Sequence, residues 1–129
     1  VDNYVSDVVG IAKEMGAKVL KYDFEGKIDG VIVRISGRPY VGIDRRLDYV
    51  DARFTVAHEL GHLEDGTVGM AYTLIAERRA DKLARERLIP ERDLFRAIGD
   101  YGGDAEFLAC LFGVSKWVME KRIKDIFLK

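Results

Sequence analysis

The run FTVAHELGHLEDG, residues 54–66, contains both histidines of the chain, His58 and His62, four residues apart, with Glu59 directly after the first. On a helix, side chains at i and i+4 project about 40° apart, so both imidazoles can reach one ion at about 2.0–2.1 Å. Glu59 lies about 100° round the axis, close to such an ion without binding it. A base for an ion-bound water has to sit there, which is why His-Glu-x-x-His works as a unit. The plain alternative is a surface helix with polar residues on one face.

Gly61 falls inside this helical stretch, where glycine costs roughly 1 kcal/mol relative to alanine, so its presence implies that something approaches the backbone closely there. An open catalytic zinc site commonly has three protein ligands plus water, so a third must come from elsewhere. In AERRADKLARERLIP, Glu77 and Asp81 stand four apart on one helical face, with the small residues Ala80 and Ala84 beside them. Glu77 is the candidate third ligand. Asp81 is the candidate acceptor for the spare N–H of a ligand imidazole, which would fix its tautomer. The opposing reading puts both on a solvated charged face with Arg78, Arg79, Lys82 and Arg85. Asp65, three residues after His62, is a rival ligand, although Gly66 beside it argues for a helix end. The metzincin pattern fails, because the positions it requires hold Asp65 and Val68.

The elements that must position these groups follow from periodicity. Val5, Val8, Val9, Ala12 and Met15 recur at helical spacing before Gly16, which predicts an amphipathic helix over about residues 3–15. AKVLKYDF reads as a strand, and GVIVRI and YVGI, separated by SGRP, read as a hairpin whose second arm Gly42 weakens. From about Asp51 the period is helical, through DARFTVAHELGHLED, MAYTLIAERRADKLARERL, PERDLFRAI, DAEFLACLF and SKWVMEKRIKDIFL. Glycine-rich connections fall at 66–70 and 99–104. The expected fold is α+β, a small sheet or hairpin packed on a helical core that includes the histidine helix and a C-terminal helical segment.

A chain of 129 residues fits one domain, 1–129, with a single core. Its 21 Lys and Arg against 22 Asp and Glu give a net charge of −1, so bulk attraction to nucleic acid or anionic membrane is not expected. One cysteine, Cys110, excludes an internal disulfide framework and a Cys-rich zinc module. No run approaches the ~18–20 apolar residues of a membrane span, and no secretory signal is recognisable, so a cytoplasmic protein is expected. The start at Val1 leaves room for a longer protein.

RFTVAHELGH, then ERRADKLARERLIP, then LACLFGVSKWVMEKRI resembles the ImmA/IrrE family of bacterial and phage metallopeptidases over roughly residues 17–127. The Glu-x-x-x-Asp companion is similar to that of thermolysin-like enzymes, the gluzincins. The resemblance implies a zinc endopeptidase, with His58, His62 and Glu77 on the metal and Glu59 as catalytic base. Many relatives carry Asn where Asp81 stands, and either residue accepts an imidazole hydrogen bond. Some relatives carry a fused DNA-binding domain, which is not visible here. Characterised relatives cleave or inactivate helix-turn-helix repressors and so release stress or mobile-element genes; such a repressor is the substrate the resemblance implies.

A transition-state donor is expected near the oxyanion, and Tyr72, just before the Glu77 helix, is the candidate, against the reading of a core or rim aromatic. A substrate peptide is expected to add as a strand to an exposed sheet edge. Two other functions compete. EFLACLFGVSKWVMEKRIKDI has the outline of a helix-turn-helix DNA reader with a mildly basic surface, yet Leu108, Leu111, Trp117, Val118, Ile123 and Phe127 equally suit a core. A metal-stabilised, non-catalytic module that captures a repressor is the third reading.

Overall fold

The computed structural model describes residues 4–70 and 72–129. Among these, the order is α1 (Val8–Glu14), β1 (Lys18–Tyr22), β2 (Gly30–Ile35), β3 (Arg38–Asp44), α2 (Tyr49–Glu64), α3 (Leu74–Leu88), α4 (Glu91–Tyr101), α5 (Ala105–Phe112) and α6 (Lys116–Phe127). The fold is α+β, as expected. Two helices begin later than their apolar periodicity suggests, because a capping side chain sets the start. Asp7 accepts from Gly10 N at 3.0 Å and Thr73 from Ala76 N at 3.1 Å. The expected starts were residue 3, which lies outside the described residues, and Met70, which precedes the cap; Ala71 also lies outside them.

The three strands are ordered β1-β3-β2, with β1 parallel and β2 antiparallel to the central β3. Ser36 and Gly37, with φ of 51° and 82°, form a two-residue hairpin turn whose twist suits antiparallel arms. Strand β3 therefore begins at Arg38, two residues before the expected arm, and runs through Gly42 without a break. Pro39 is tolerated because β1 pairing starts only at Tyr40.

One face of the sheet carries the row Val19, Val41 and Ile32, which lie opposite one another in register. Gly30 shares that face, opposite Ile43. Helix α2 packs against β2, β3 and α3, and it buries residues round much of its girth, including Val56, Ala57, Leu60 and His62. Leu88, Leu94, Leu108, Phe112 and Met119 complete the buried core from the later helices. The α5–α6 pair, with Gly113 left-handed at its turn, is built into this body. Leu108 and Val118 are buried and Leu111 and Ile123 partly so, whereas Trp117 and Phe127 are exposed.

Arg53 locks these parts together. It is buried, and its guanidinium donates to the carbonyls of Ser6, Gly113 and Phe112. The segment before α1, helix α2 and the α5–α6 turn thus meet on one side chain. No helix is long and apolar enough to cross a membrane among the described residues.

Candidate metal centre

Helices α2 and α3 come close enough to share a site because neither carries bulk at the crossing. A Cβ on Gly61 would lie 2.7 Å from the Ala80 carbonyl oxygen and 2.9 Å from Ala80 Cα. The close approach inferred from a mid-helix glycine is therefore present, and Ala80 is its partner. Glu77, about a turn before Ala80, and Asp81, directly after it, are thereby set against the histidine face of α2.

His58 Nε2 lies 3.0 Å from Glu77 Oε2, and His62 Nε2 lies 2.9 Å from Glu77 Oε1. One ligand atom from each of these three residues falls within 4.8 Å of the others, close enough to share an ion. The imidazoles meet edge to face, with centroids 4.9 Å apart and planes at 85°.

Each Nδ1 is tied back. His58 Nδ1 is 2.7 Å from Asp81 Oδ1, the contact expected for that carboxylate. His62 Nδ1 is 2.8 Å from Thr67 Oγ1, a partner that sequence reasoning missed. Helix α2 ends in a Schellman motif: Gly66 is left-handed at φ 72°, Gly66 N donates to Leu63 O, and Thr67 N donates to His62 O at 2.9 Å. That cap folds residue 67 back over residue 62. Thr67 Oγ1 donates on to the His62 carbonyl at 3.3 Å, so its lone pair is left to accept from Nδ1–H. With both Nδ1 atoms protonated, both Nε2 lone pairs point to the common centre. The signal is Gly66, which opens the glycine-rich run, followed directly by a hydroxyl residue. Its meaning depended on knowing where the helix stopped.

Asp65 does not join the cluster. It caps the C-terminus of α2, its Oδ2 3.9 Å from Arg79 Nη1. Tyr72 stacks on the His62 ring, with centroids 4.1 Å apart and planes at 6°. Burial raises its phenol above the ordinary value and the Glu59 and Glu77 carboxylates add to that, so the hydroxyl keeps its proton.

Glu59 is only 4% exposed, and its Oε1 is buried with no hydrogen-bond partner among the described residues. Burial pushes its carboxyl up to about 7, against the attraction of His58 and with the repulsion of Glu77. Burial also disfavours charge on His58, but the Asp81 hydrogen bond and the nearby carboxylates outweigh it and raise that imidazole. His62 is lowered by its burial and by His58. His58, Glu59 and Glu77 line a cleft of about 280 Å³ whose other walls are Asp29, Gly30, Phe54 and Thr55. Gly30 is required there: a Cβ would meet Thr55 Cγ2 at 2.4 Å. A larger cavity of about 550 Å³ lies between the segment before α1 and α2, away from the ionisable cluster.

Two nitrogens and a carboxylate, oriented from behind and facing a cleft, fit a divalent transition metal of the zinc type, and the orphaned Glu59 oxygen fits a water beside it. A comparison with curated proteins finds no match to this chain. Residues 12–124 match the peptidase family described as the IrrE N-terminal-like domain, and the chain belongs to that family.

Proposed function

We propose that the chain is a zinc-dependent endopeptidase that cleaves a specific protein, a helix-turn-helix repressor of a mobile element or stress response. The observation that carries the reading is the pair of Nε2 atoms and the Glu77 carboxylate on one centre, each imidazole held from behind, with Glu59 orphaned next to them. Membership of a peptidase family supports hydrolysis. The repressor as substrate rests on the resemblance to relatives that act on such proteins.

His58, His62 and Glu77 would hold the ion, which when bound supplies an acidified water and polarises a carbonyl. Glu59 takes the water proton: a buried carboxyl near 7 is matched to proton transfer at neutral pH. It then returns that proton to the departing amine. Tyr72, stacked on His62 and retaining its hydroxyl proton, donates toward the developing oxyanion. Among the described residues strand β2 pairs with no strand but β3, which leaves its other edge to take a peptide strand beside the Ile32 backbone that meets Tyr72, and its first residue, Gly30, lines the same cleft as Glu59.

Elemental analysis paired with incubation of helix-turn-helix repressors from the same genome tests the reading. About one zinc per chain is expected, lost in Glu77→Ala and His58→Ala. Glu59→Gln is expected to keep the zinc and slow cleavage by about 10² or more. Undiminished cleavage by Glu59→Gln rules out this mechanism, and stoichiometric capture of an intact repressor makes the domain a binding module.

A further inference from the structure

The face of α2 that carries His58 and Glu59 does not stop there. Asp51, Phe54, Thr55, His58, Glu59 and His62 recur at spacings of three and four, one continuous stripe. Its N-terminal half lines a second cavity of about 280 Å³, which Asp29, Phe54 and Thr55 share with the metal cleft and which Ser115, Trp117 and Val118 close on the far side. The two cavities adjoin across Asp29, Phe54 and Thr55, so the second lies beside the cleft that Glu59 lines.

We infer that this second cavity is a subsite selecting an arginine or lysine side chain of the peptide substrate, through Asp29, Asp51 and the Trp117 ring. The inference rests on the peptidase reading and names the chemistry of its substrate. Asp29 and Asp51 are exposed, and among the described residues neither carboxylate has a hydrogen-bond or ion-pair partner. Their backbones are fixed nonetheless. Asp29 O accepts from Asp44 N at 2.7 Å, and Asp51 N donates to Asp48 Oδ1 at 2.8 Å. The first turn of α2 favours an acid for its own reasons, but Asp29, on the loop ahead of β2, has no such reason.

No lysine or arginine lines either cavity among the described residues. Lys121 lies over the Trp117 ring, Nζ 4.9 Å from its centroid, so this indole already attracts a cation. Two free carboxylates and an exposed indole beside apolar Phe54 and Val118 suit a long aliphatic stem with a cationic head. Asp51 precedes His58 by seven residues, about 10 Å along the helix. An extended peptide covers that in about three residues, so the selected side chain stands two or three positions from the cleaved bond.

Zinc-loaded Glu59→Gln protein is immobilised and offered an octapeptide pool in which each position carries Arg, Lys, Gln, Leu or Glu equally; retained peptides are read by mass spectrometry. Arg and Lys are expected to be enriched about fivefold over Gln at one position. The enrichment should vanish when Asp29→Asn and Asp51→Asn are added, with zinc content unchanged and thermal unfolding lowered only slightly by loss of the acid in the first turn of α2, and Asp51→Lys should shift it toward Glu. Equal retention of Arg and Gln, enrichment that survives both Asn substitutions, or no retention of any peptide overturns the inference. Cleavage of the same pool by the unsubstituted protein is read separately, so failure of the peptidase reading is distinguished from absence of a cationic preference.

Discussion

Gly61 on α2 and Ala80 on α3 touch backbone to backbone, with room for no side-chain atom between them. Gly61→Ala gains roughly 1 kcal/mol of helix propensity but drives a methyl into the Ala80 carbonyl, an overlap that costs about 1–3 kcal/mol or displaces α3. A displaced α3 carries Glu77 away from the imidazoles. Zinc affinity measured by chelator competition should therefore fall by at least tenfold, while far-ultraviolet circular dichroism stays native. A variant with unchanged zinc affinity would show that the close crossing does not set the site.

Thr67 holds His62 through a hydroxyl, so Thr67→Val, similar in shape but without the oxygen, leaves Nδ1 unpaired. Zinc affinity should weaken about 10- to 100-fold, and Thr67→Ser should restore it. Asp81→Ala should weaken affinity similarly through His58, and Asp81→Asn should retain most of it because the amide oxygen still accepts from Nδ1–H.

Glu59 makes the metal-free protein less stable as pH rises. Its carboxyl, ordinarily near 4.5, is held up to about 7 by burial, so between these values the native state binds more protons than the unfolded chain. The contribution is complete below about 4.5 and is lost as pH climbs through 7, on the order of 3 kcal/mol in all. In chelator, Glu59→Gln should match the parent in thermal midpoint near pH 4.5 and exceed it at pH 8. Zinc should narrow the difference, because a neighbouring cation favours the carboxylate.

Arg53 is the buried tie between Ser6, Phe112 and Gly113. Arg53→Met keeps the aliphatic stem but leaves three carbonyls short of a donor, at a cost of about 2–4 kcal/mol in urea unfolding. Zinc affinity per folded molecule should change little, since none of the three carbonyls belongs to the metal cleft.

What could be read without the fold was what the chain writes locally. His58, Glu59 and His62 lie within five consecutive residues of one helix, and a helix has only one way to arrange them. Glu77 and Asp81 could be paired with them at a distance because Gly61, Ala80 and Ala84 announce a close helix crossing. Thr67 could not, because its role appears only once Gly66 has turned the chain back. Helix α3 starts later than its apolar rhythm suggests, because Met70 and Tyr72 continue that rhythm and Thr73 overrides it by capping. The parallel pairing of β1 with β3 left no local mark, since β2 intervenes in sequence yet lies at the edge in space. Trp117 and Phe127 keep helical spacing but face outward, where composition alone assigns them inward.

The two rings are anchored by parts of the protein with different freedom. His62 is secured by the end of its own helix, whereas His58 depends on Asp81, which shares a rigid rod with Glu77 one turn away. If the rods separate, the carboxylate and the brace of the first ring depart in one stroke, while the second ring stays put. An ion held there would therefore meet a hinged side and a fixed side, so that its release and the slackening of His58 would be a single event with a single rate.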